Sequence, residues 1–333
     1  MGQEVDHTRF SPEDFNRFRA ALKEETIYLQ KRLTDPDVIT NKRYSAGFEL
    51  EACLLNQQTL RPAADNEDFL SCFDNPELAC MELAGFNVEF NTTVFSLQDR
   101  FLSDLLNQLN TTWSKAQECA DQQGNLLLLC GILPTLRNSD LCMSNISGMK
   151  RYAALNREIF NSRQGKPIQL DIEGKGHLQM QHKDVMLEAA ATSFQIHIKT
   201  PIQAAKSVYN ASIMLSAPIL AACTNSPLLF ETNLWEETRI PLFEQSISTG
   251  NPLPRVSFGT GYVEDSMLEC FLENERSYPV LLPMQFEGSI DDLSHLRLHN
   301  GTIWRWNRPL VGFNADGSPH IRIEFRCLPA GPT

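Results

Sequence analysis

Four short segments of this chain share one pattern, and it restricts the fold more than any other feature. In residues 47–53 (GFELEAC), Phe48, Leu50 and Ala52 alternate with Glu49 and Glu51. In residues 87–91 (NVEFN), Val88 and Phe90 alternate with Asn87, Glu89 and Asn91. Residues 193–199 set Phe194, Ile196 and Ile198 against Gln195, His197 and Lys199. Residues 320–326 set Ile321, Ile323 and Phe325 against Arg322, Glu324 and Arg326. Side chains point alternately to opposite faces of a strand, so each segment has one apolar and one polar face. Paired in one sheet, the apolar faces rest on helices, and the other face gathers carboxylates, an imidazole, guanidiniums and amides.

An ordinary half-buried antiparallel sheet also alternates. Its wet face, however, is usually rich in Lys, Thr and Ser, whereas these segments carry Glu, His, Arg and Asn. Carboxylates at i and i+2 on one face repel each other unless a cation lies between them. Hard divalent ions such as Mg²⁺ or Mn²⁺ take oxygen ligands, and Mn²⁺ also accepts His. The arginines on either side of Glu324 suit an anionic substrate or a transferring phosphoryl group. The polar face therefore reads as a divalent-metal site for phosphoryl or carboxylate chemistry. The chain has no GxxxxGK[ST] loop, no protein-kinase motif set, no GxSxG and no HExxH, so any nucleotide must bind by another device.

Composition narrows the partners. The net charge of −12 repels phosphate backbones, which argues against nucleic-acid binding and requires a local cluster of Arg, Lys or metal for any anionic ligand. The nine cysteines are scattered without a CxxC pattern and read as reduced core residues, with neither a zinc site nor a disulfide framework expected. The N-terminus is polar and lacks an apolar signal core; it begins Met-Gly, but Asp6 stands where a myristoylation signal needs Ser or Thr. The longest apolar stretch, 211–223, contains Pro218 and is too short to span a bilayer, so no membrane partner is expected. A cytoplasmic location follows from this reading. The length of 333 residues allows two domains or one large one.

Ser11-Pro12-Glu13-Asp14 reads as a helix start, and apolar spacing predicts a helix over 12–33, ended by Asp35-Pro36. Further helices are expected over 97–121 and 202–222, with weaker patterns at 150–161 and 232–246. Leu126 to Leu129 reads as a fully buried strand. Segments 134–150, 162–183 and 285–320 read as long loops, a kind of segment that often contributes to sites.

At this point the motifs resemble a family. GFELEACLLN resembles the opening strand of the carboxylate–amine ligases related to bacterial and plant glutamate–cysteine ligases, within the glutamine synthetase-like superfamily. NVEFNTTV is similar to the family's second carboxylate strand, and ATSFQIHIKT to its histidine strand. Thr224-Asn-Ser-Pro227 with the stretch 235–239 resembles the segment supplying a phosphate-contacting arginine. LHNGTIWRWNRP (298–309) and RIEFRCLPAGPT (322–333) resemble its late motifs. The resemblance covers about 44–333, leaving 1–43 as an N-terminal helical segment.

The resemblance implies an α+β fold: a curved antiparallel sheet with helices on one face and a polar concave face holding ATP and Mg²⁺ or Mn²⁺. Glutamate's γ-carboxylate would attack ATP, giving an acyl phosphate that an amine, commonly cysteine's, then displaces. By position, Glu49, Glu51, Glu89, His197 and Glu324 match metal ligands. Arg239, Arg322 and Arg326 match the phosphate or substrate clamp, and Asn91, Gln195, Trp304 and Arg305 are the candidate nucleotide contacts. Glutamate and an amine are the implied partners, and association of like copies is compatible with this reading.

The sequence also departs from the family. Many members carry His-x-His where Gln195 precedes His197, the usual acidic residue after the last strand is absent, and relatives continue into further helices. Two rivals stay open: a non-catalytic relative binding nucleotide or amino acid, and a divalent-metal hydrolase. Elsewhere, Glu82 reads as a loop charge, His177 and His182 as solvated loop residues, and packing competes with stacking for Trp304 and Trp306.

Overall fold

The computed structural model describes residues 5, 7–34, 43–73, 77–314 and 317–331. The strands are β1 (Ser45–Asn56), β2 (Ala79–Met81), β3 (Asn87–Asn91), β4 (Phe95–Ser96), β5 (Asn125–Leu128), β6 (Ile168–Glu173), β7 (His177–His182), β8 (Ser193–Thr200), β9 (Leu228–Leu229), β10 (Thr232–Asn233), β11 (Asn307–Phe313) and β12 (Pro319–Pro329). The α-helices are α1 (Pro12–Thr34), α2 (Asn66–Leu70), α3 (Phe101–Gln122), α4 (Lys150–Ser162), α5 (Ile202–Cys223), α6 (Arg239–Ser246), α7 (Leu268–Ser277) and α8 (Ser294–Gly301).

All four two-faced segments enter one curled antiparallel sheet of order β11-β12-β8-β1-β3-β2. β1 is long enough to pair with β8 along its first half and with β5 along its last. The apolar face packs as expected on α3 and α5. Phe48, Leu105 and Ala46 form one cluster there, and Val88, Phe90 and Ala116 belong to another.

Helix α1 starts where the sequence predicts. Asp14 Oδ2 accepts from Ser11 N (2.8 Å), and Ser11 Oγ accepts from Asp14 N (3.3 Å), a reciprocal cap. Its Phe18, Leu22 and Leu29 pack with α7, α8 and the apolar faces of β11 and β12. Asp35 and Pro36, expected to end it, lie outside the described residues.

Helix α5 is turned against the usual pattern. Its buried face holds Ala205, Tyr209, Ser212 and Ser216, while Met214 and Leu215 face outward. The hydroxyls are satisfied within the helix, Ser212 donating to Tyr209 O (2.7 Å) and Ser216 to Ser212 O (2.9 Å). Small side chains thus let α5 lie close on β12.

Several expectations need correction. Segment 162–183 is not a loop: β6 and β7 form a hairpin whose Ile168, Leu170 and Ile172 are buried. Segment 285–320 contains α8 and β11, and α7 was not foreseen. The helix expected over 232–246 begins only at Arg239, because 232–233 pair as a strand. Helix α3 starts at Phe101 rather than 97. Leu126 and Leu128 are exposed, because alternation turns Leu127 toward Ala116 and Cys119 of α3 and points its neighbours to the opposite face.

Cys72 and Cys119, 47 positions apart, are joined as a disulfide, correcting the reading of nine free thiols. A pairing at that separation leaves no local spacing signature. His182 is buried between the Leu141 carbonyl (3.1 Å) and Asp184, whereas His177 is exposed and pairs with Asp171 (2.7 Å). No described helix is long and apolar enough to cross a membrane.

Truncating Phe18, which is fully buried, to Ala should cost about 3–5 kcal/mol of stability. Ile27→Ala, on the exposed side of the same helix, should stay within about 0.5 kcal/mol. Urea unfolding of the two variants checks this; equal midpoints would mean α1 is not docked.

Candidate active site

Strand register assembles the site. Glu49 lies opposite Gln195 on one side and Asn91 on the other, and Glu51 lies opposite Glu89. His197 faces Glu324, which in turn faces Arg308, and Lys199 faces Arg322. Because the period of a strand is two, these pairings put every polar member of the four segments on the same concave face. A register shift between Phe325 and Leu328 interrupts the β12–β8 ladder beside Arg326, whose Nη1 donates to Gln195 Oε1 (2.5 Å).

Two triads of ligand-type groups result. In the first, atoms of Glu49, His197 and Glu324 lie within 4.8 Å of one another. His197 Nε2 stands 2.9 Å from Glu49 Oε1 and 3.7 Å from Glu324 Oε1. Yet neither ring nitrogen has an aligned hydrogen-bond partner among the described residues, as befits donors converging on a common point. Arg308 grips Glu324 with two nitrogens (2.5 and 2.9 Å), and Arg326 Nη1 adds a third contact (3.1 Å). Burial alone would raise these carboxyls. For Glu324 the guanidiniums of Arg308 and Arg326 outweigh it, and for Glu49 the neighbouring His197 does, so both are held well below the usual range.

The second triad is Glu51, Glu82 and Glu89, also within 4.8 Å. Glu51 accepts from Ser193 N (2.7 Å), Ser193 Oγ (2.8 Å) and Gln195 Nε2 (2.9 Å). Glu89 accepts from Asn91 Nδ2 (2.8 Å), and the Cys80 thiol lies 3.1 Å from it. These hydrogen bonds do not neutralise the charge. Burial and the Glu89 carboxylate push Glu51 up to about 7, against the Ser193 hydrogen bonds and Arg326. Burial, then Glu89 and Glu51, raise Glu82 far above its usual value. Three converging carboxylates, of which Glu51 and Glu82 resist ionisation, form a seat for a hard divalent cation, so the residues present fit Mg²⁺ or Mn²⁺.

The triads open onto a cavity of about 340 Å³. Arg322, Arg326, Arg308, Arg297 and Arg151 supply its positive lining, and Trp304, Leu155 and Leu298 are among its apolar walls. Arg322 Nε is buried without a hydrogen-bond partner among the described residues. Gln195 lines the cavity and its amide donates to Glu51, whereas Asn91, expected to touch the nucleotide, does not line it and instead donates to Glu89.

Two expected arginines are placed elsewhere. Arg305 does not line the cavity: backbone alternation turns Trp304 inward and Arg305 away, where its Nη2 bonds Asn274 Oδ1 (2.9 Å) and Glu273 (3.0 Å). Arg239 is also outside it. Its Nε bonds Glu237 (3.0 Å), its Nη2 the Cys327 carbonyl, and its guanidinium lies 5.7 Å from the Trp306 ring centre. Trp306 is fully buried and donates to Glu244, so for this tryptophan packing wins.

Glu82, Arg308 and Glu188, like Arg151 and Arg297, line the cavity and escaped the sequence reading. Glu82 sits before the turn into β3 and carries no strand alternation, so nothing local marked it; the β2–β3 pairing brings it in. Arg308 was detectable, because alternation within 307–313 puts it on the face of Glu324. Glu188 lies in a short turn that is otherwise apolar.

A profile for glutamate–cysteine ligase family 2 matches residues 45–333. Among solved structures, the chain is similar to the glutamate–cysteine ligase of Francisella tularensis, crystallised in complex with AMP. That similarity is 10% in identity with a TM-score of 0.37, and spans 56% of this chain and 36% of that one. No curated protein sequence matches.

The two triads predict opposite pH responses. Glu51 and Glu82 bind protons in the folded state that the unfolded chain has released, so the metal-free fold loses stability as pH rises from 4.5 toward about 7. Glu49 and Glu324, held low, stabilise the fold above the usual carboxylate range and lose that effect as pH falls below it. Cation binding requires the deprotonated second triad, so Mn²⁺ should raise the melting temperature more at about pH 8 than at about pH 5. At hundredfold excess over Kd the stabilisation should be about 2.7 kcal/mol. Glu82→Gln should abolish the difference; an equal Mn²⁺ shift at both pH values would contradict the assignment.

Proposed function

The chain belongs to glutamate–cysteine ligase family 2, and from that premise we propose that it is an ATP-dependent ligase joining the γ-carboxylate of glutamate to an amine such as that of cysteine. One observation carries the reading: two three-donor triads share a concave face with Arg322, whose buried Nε has no hydrogen-bond partner among the described residues. A free carboxylate is a poor electrophile, and activating it as an acyl phosphate requires a site that tolerates many negative charges at once. This one has the groups to do so.

The residues divide the work. Glu49, His197 and Glu324 would hold one divalent ion, and Glu51, Glu82 and Glu89 another. Such ions, when bound, neutralise charge on the phosphates of ATP. Arg322 presents its guanidinium to a phosphoryl oxygen or to the substrate carboxylate. Arg326 and Arg308 act chiefly through Glu324, fixing its carboxylate and its ionised state. Gln195 links Arg326 to Glu51, so it serves as a bridge between the triads where other members have a second histidine. Trp304, half-buried on the cavity wall, offers a ring for adenine. Arg239 and Arg305 support the walls and take no part in binding. The cytoplasm, which supplies ATP and free glutamate, is the compartment this reaction requires.

The test is ADP release from Mg²⁺-ATP and L-glutamate, with and without L-cysteine. ADP should depend on glutamate, rise with the amine, and vanish in Glu51→Gln. Arg322→Ala should lower kcat by about 10²–10³-fold. ATP binding by calorimetry without any ADP would refute catalysis and leave the non-catalytic relative. Phosphate or amide hydrolysis with no amine requirement would favour the hydrolase.

A further inference from the structure

Residues 185–190 (VMLEAA) form a 3-10 turn in which Val185, Met186, Leu187, Ala189 and Ala190 are all buried. Glu188 is its only charged member, and it lines the cavity. The turn is firmly held. Asp184 Oδ1 accepts from Met186 N (3.0 Å), Asn156 Oδ1 accepts from Val185 N (3.0 Å), and α4 and α6 pack against it. Ile132 and Ala191 are bridged just beyond. The carboxylate therefore has a fixed position rather than the freedom of a surface loop.

Among the described residues no hydrogen bond or ion pair reaches this carboxylate, and it belongs to neither metal triad. The groups that act on it do so at a distance: Glu51 from β1, Arg326 from β12, Glu82 ahead of β3 and Tyr152 from α4. An acid set alone in an apolar turn costs stability without a partner, so its retention at a cavity wall points to a ligand. The ligand that compensates the burial of this carboxylate is a cation. The proposed reaction brings two that still lack a recognised partner, the α-ammonium of glutamate and that of the incoming amine, and only the second must lose a proton to react.

We propose that Glu188 receives the ammonium group of the acceptor and is the base that frees it for attack, a role that rests on the ligase reading. The ammonium gives one proton to the Glu188 carboxylate, leaving a neutral amine and a carboxylic acid. The amine lone pair forms the C–N bond at the acyl carbon, and the C–O bond to the phosphoryl group breaks with its electron pair on the leaving phosphate. The second nitrogen proton goes to that phosphate, and Glu188 returns its own to solvent. In the metal-free site burial, then Glu51, push the Glu188 carboxyl up to about 7, against the pull of Arg326; its role as base rests on its fixed place on the cavity wall.

Hydroxylamine separates the base from the rest of the machinery, because near neutral pH it is already unprotonated. Wild-type protein, Glu188→Gln and Glu188→Asp would each be given Mg²⁺-ATP and L-glutamate with either L-cysteine or hydroxylamine. Amide, hydroxamate and ADP would be quantified. Glu188→Gln should lose about 10²–10⁴-fold with cysteine and stay near the wild-type rate with hydroxylamine. Glu188→Asp, which keeps the acid, should recover part of the cysteine rate and serves if the Gln variant misfolds. Equal loss with both nucleophiles, or loss with neither, overturns the role of Glu188 while leaving the ligase reading intact. Wild-type protein forming neither product overturns both.

Discussion

The structure is organised around a repulsion. Register places Glu51 directly opposite Glu89 and brings Glu82 to both, while Glu49 and Glu324 converge on His197 only one strand away. Like charges facing each other across an antiparallel pair destabilise the pair, and burial multiplies the effect. A fold evolved only for stability would place Thr or Val at such positions. Here the apolar faces of the same strands carry the stability, through Val88, Phe90, Ile321 and Ile323 against the helices, so the opposite face can hold charge. The period of two makes this division available: one strand contributes to the core and to the site without conflict.

What was legible in the sequence is what that alternation encodes. The four strands, and the placing of Glu49, Glu51, Glu89, His197, Glu324, Arg322 and Arg326 on the polar face of each, follow from a pattern confined to a few adjacent residues, whereas their pairing in one sheet was implied by the family resemblance. What was illegible depends on contacts between distant segments. Glu82 enters through a turn, Glu188 through an apolar 3-10 segment, and Cys72 finds Cys119 across 47 positions. Arg239 and Arg305 failed for a related reason: position along a motif says little about side-chain direction once the chain leaves a strand. The hairpin at 168–182 was hidden by its glycines and polar outer face, although Ile168, Leu170 and Ile172 alternate cleanly beneath it.

The two triads are chemically unequal, and this bears on how the site works. The first has guanidinium counterions in place: Arg308 and Arg326 bind Glu324, and His197 lies against Glu49, and both acids are held below the usual carboxylate range. The second is made of carboxylates supported by neutral donors, Ser193, Gln195 and Asn91, with Arg326 acting only from a distance. An arriving dication therefore gains more at the second triad, where it relieves repulsion, than at the first, where it competes with guanidiniums already in place.

Gln195 joins the halves of this arrangement. Its oxygen accepts from Arg326 and its nitrogen donates to Glu51, so one amide carries the influence of the cationic side to the anionic side. A histidine there could form one of those contacts with each ring nitrogen, but only in the tautomer and protonation state that suits both. An amide has donor and acceptor fixed and no charge to change with pH. An amide at this position thus holds Glu51 and Arg326 in register whatever the state of the site.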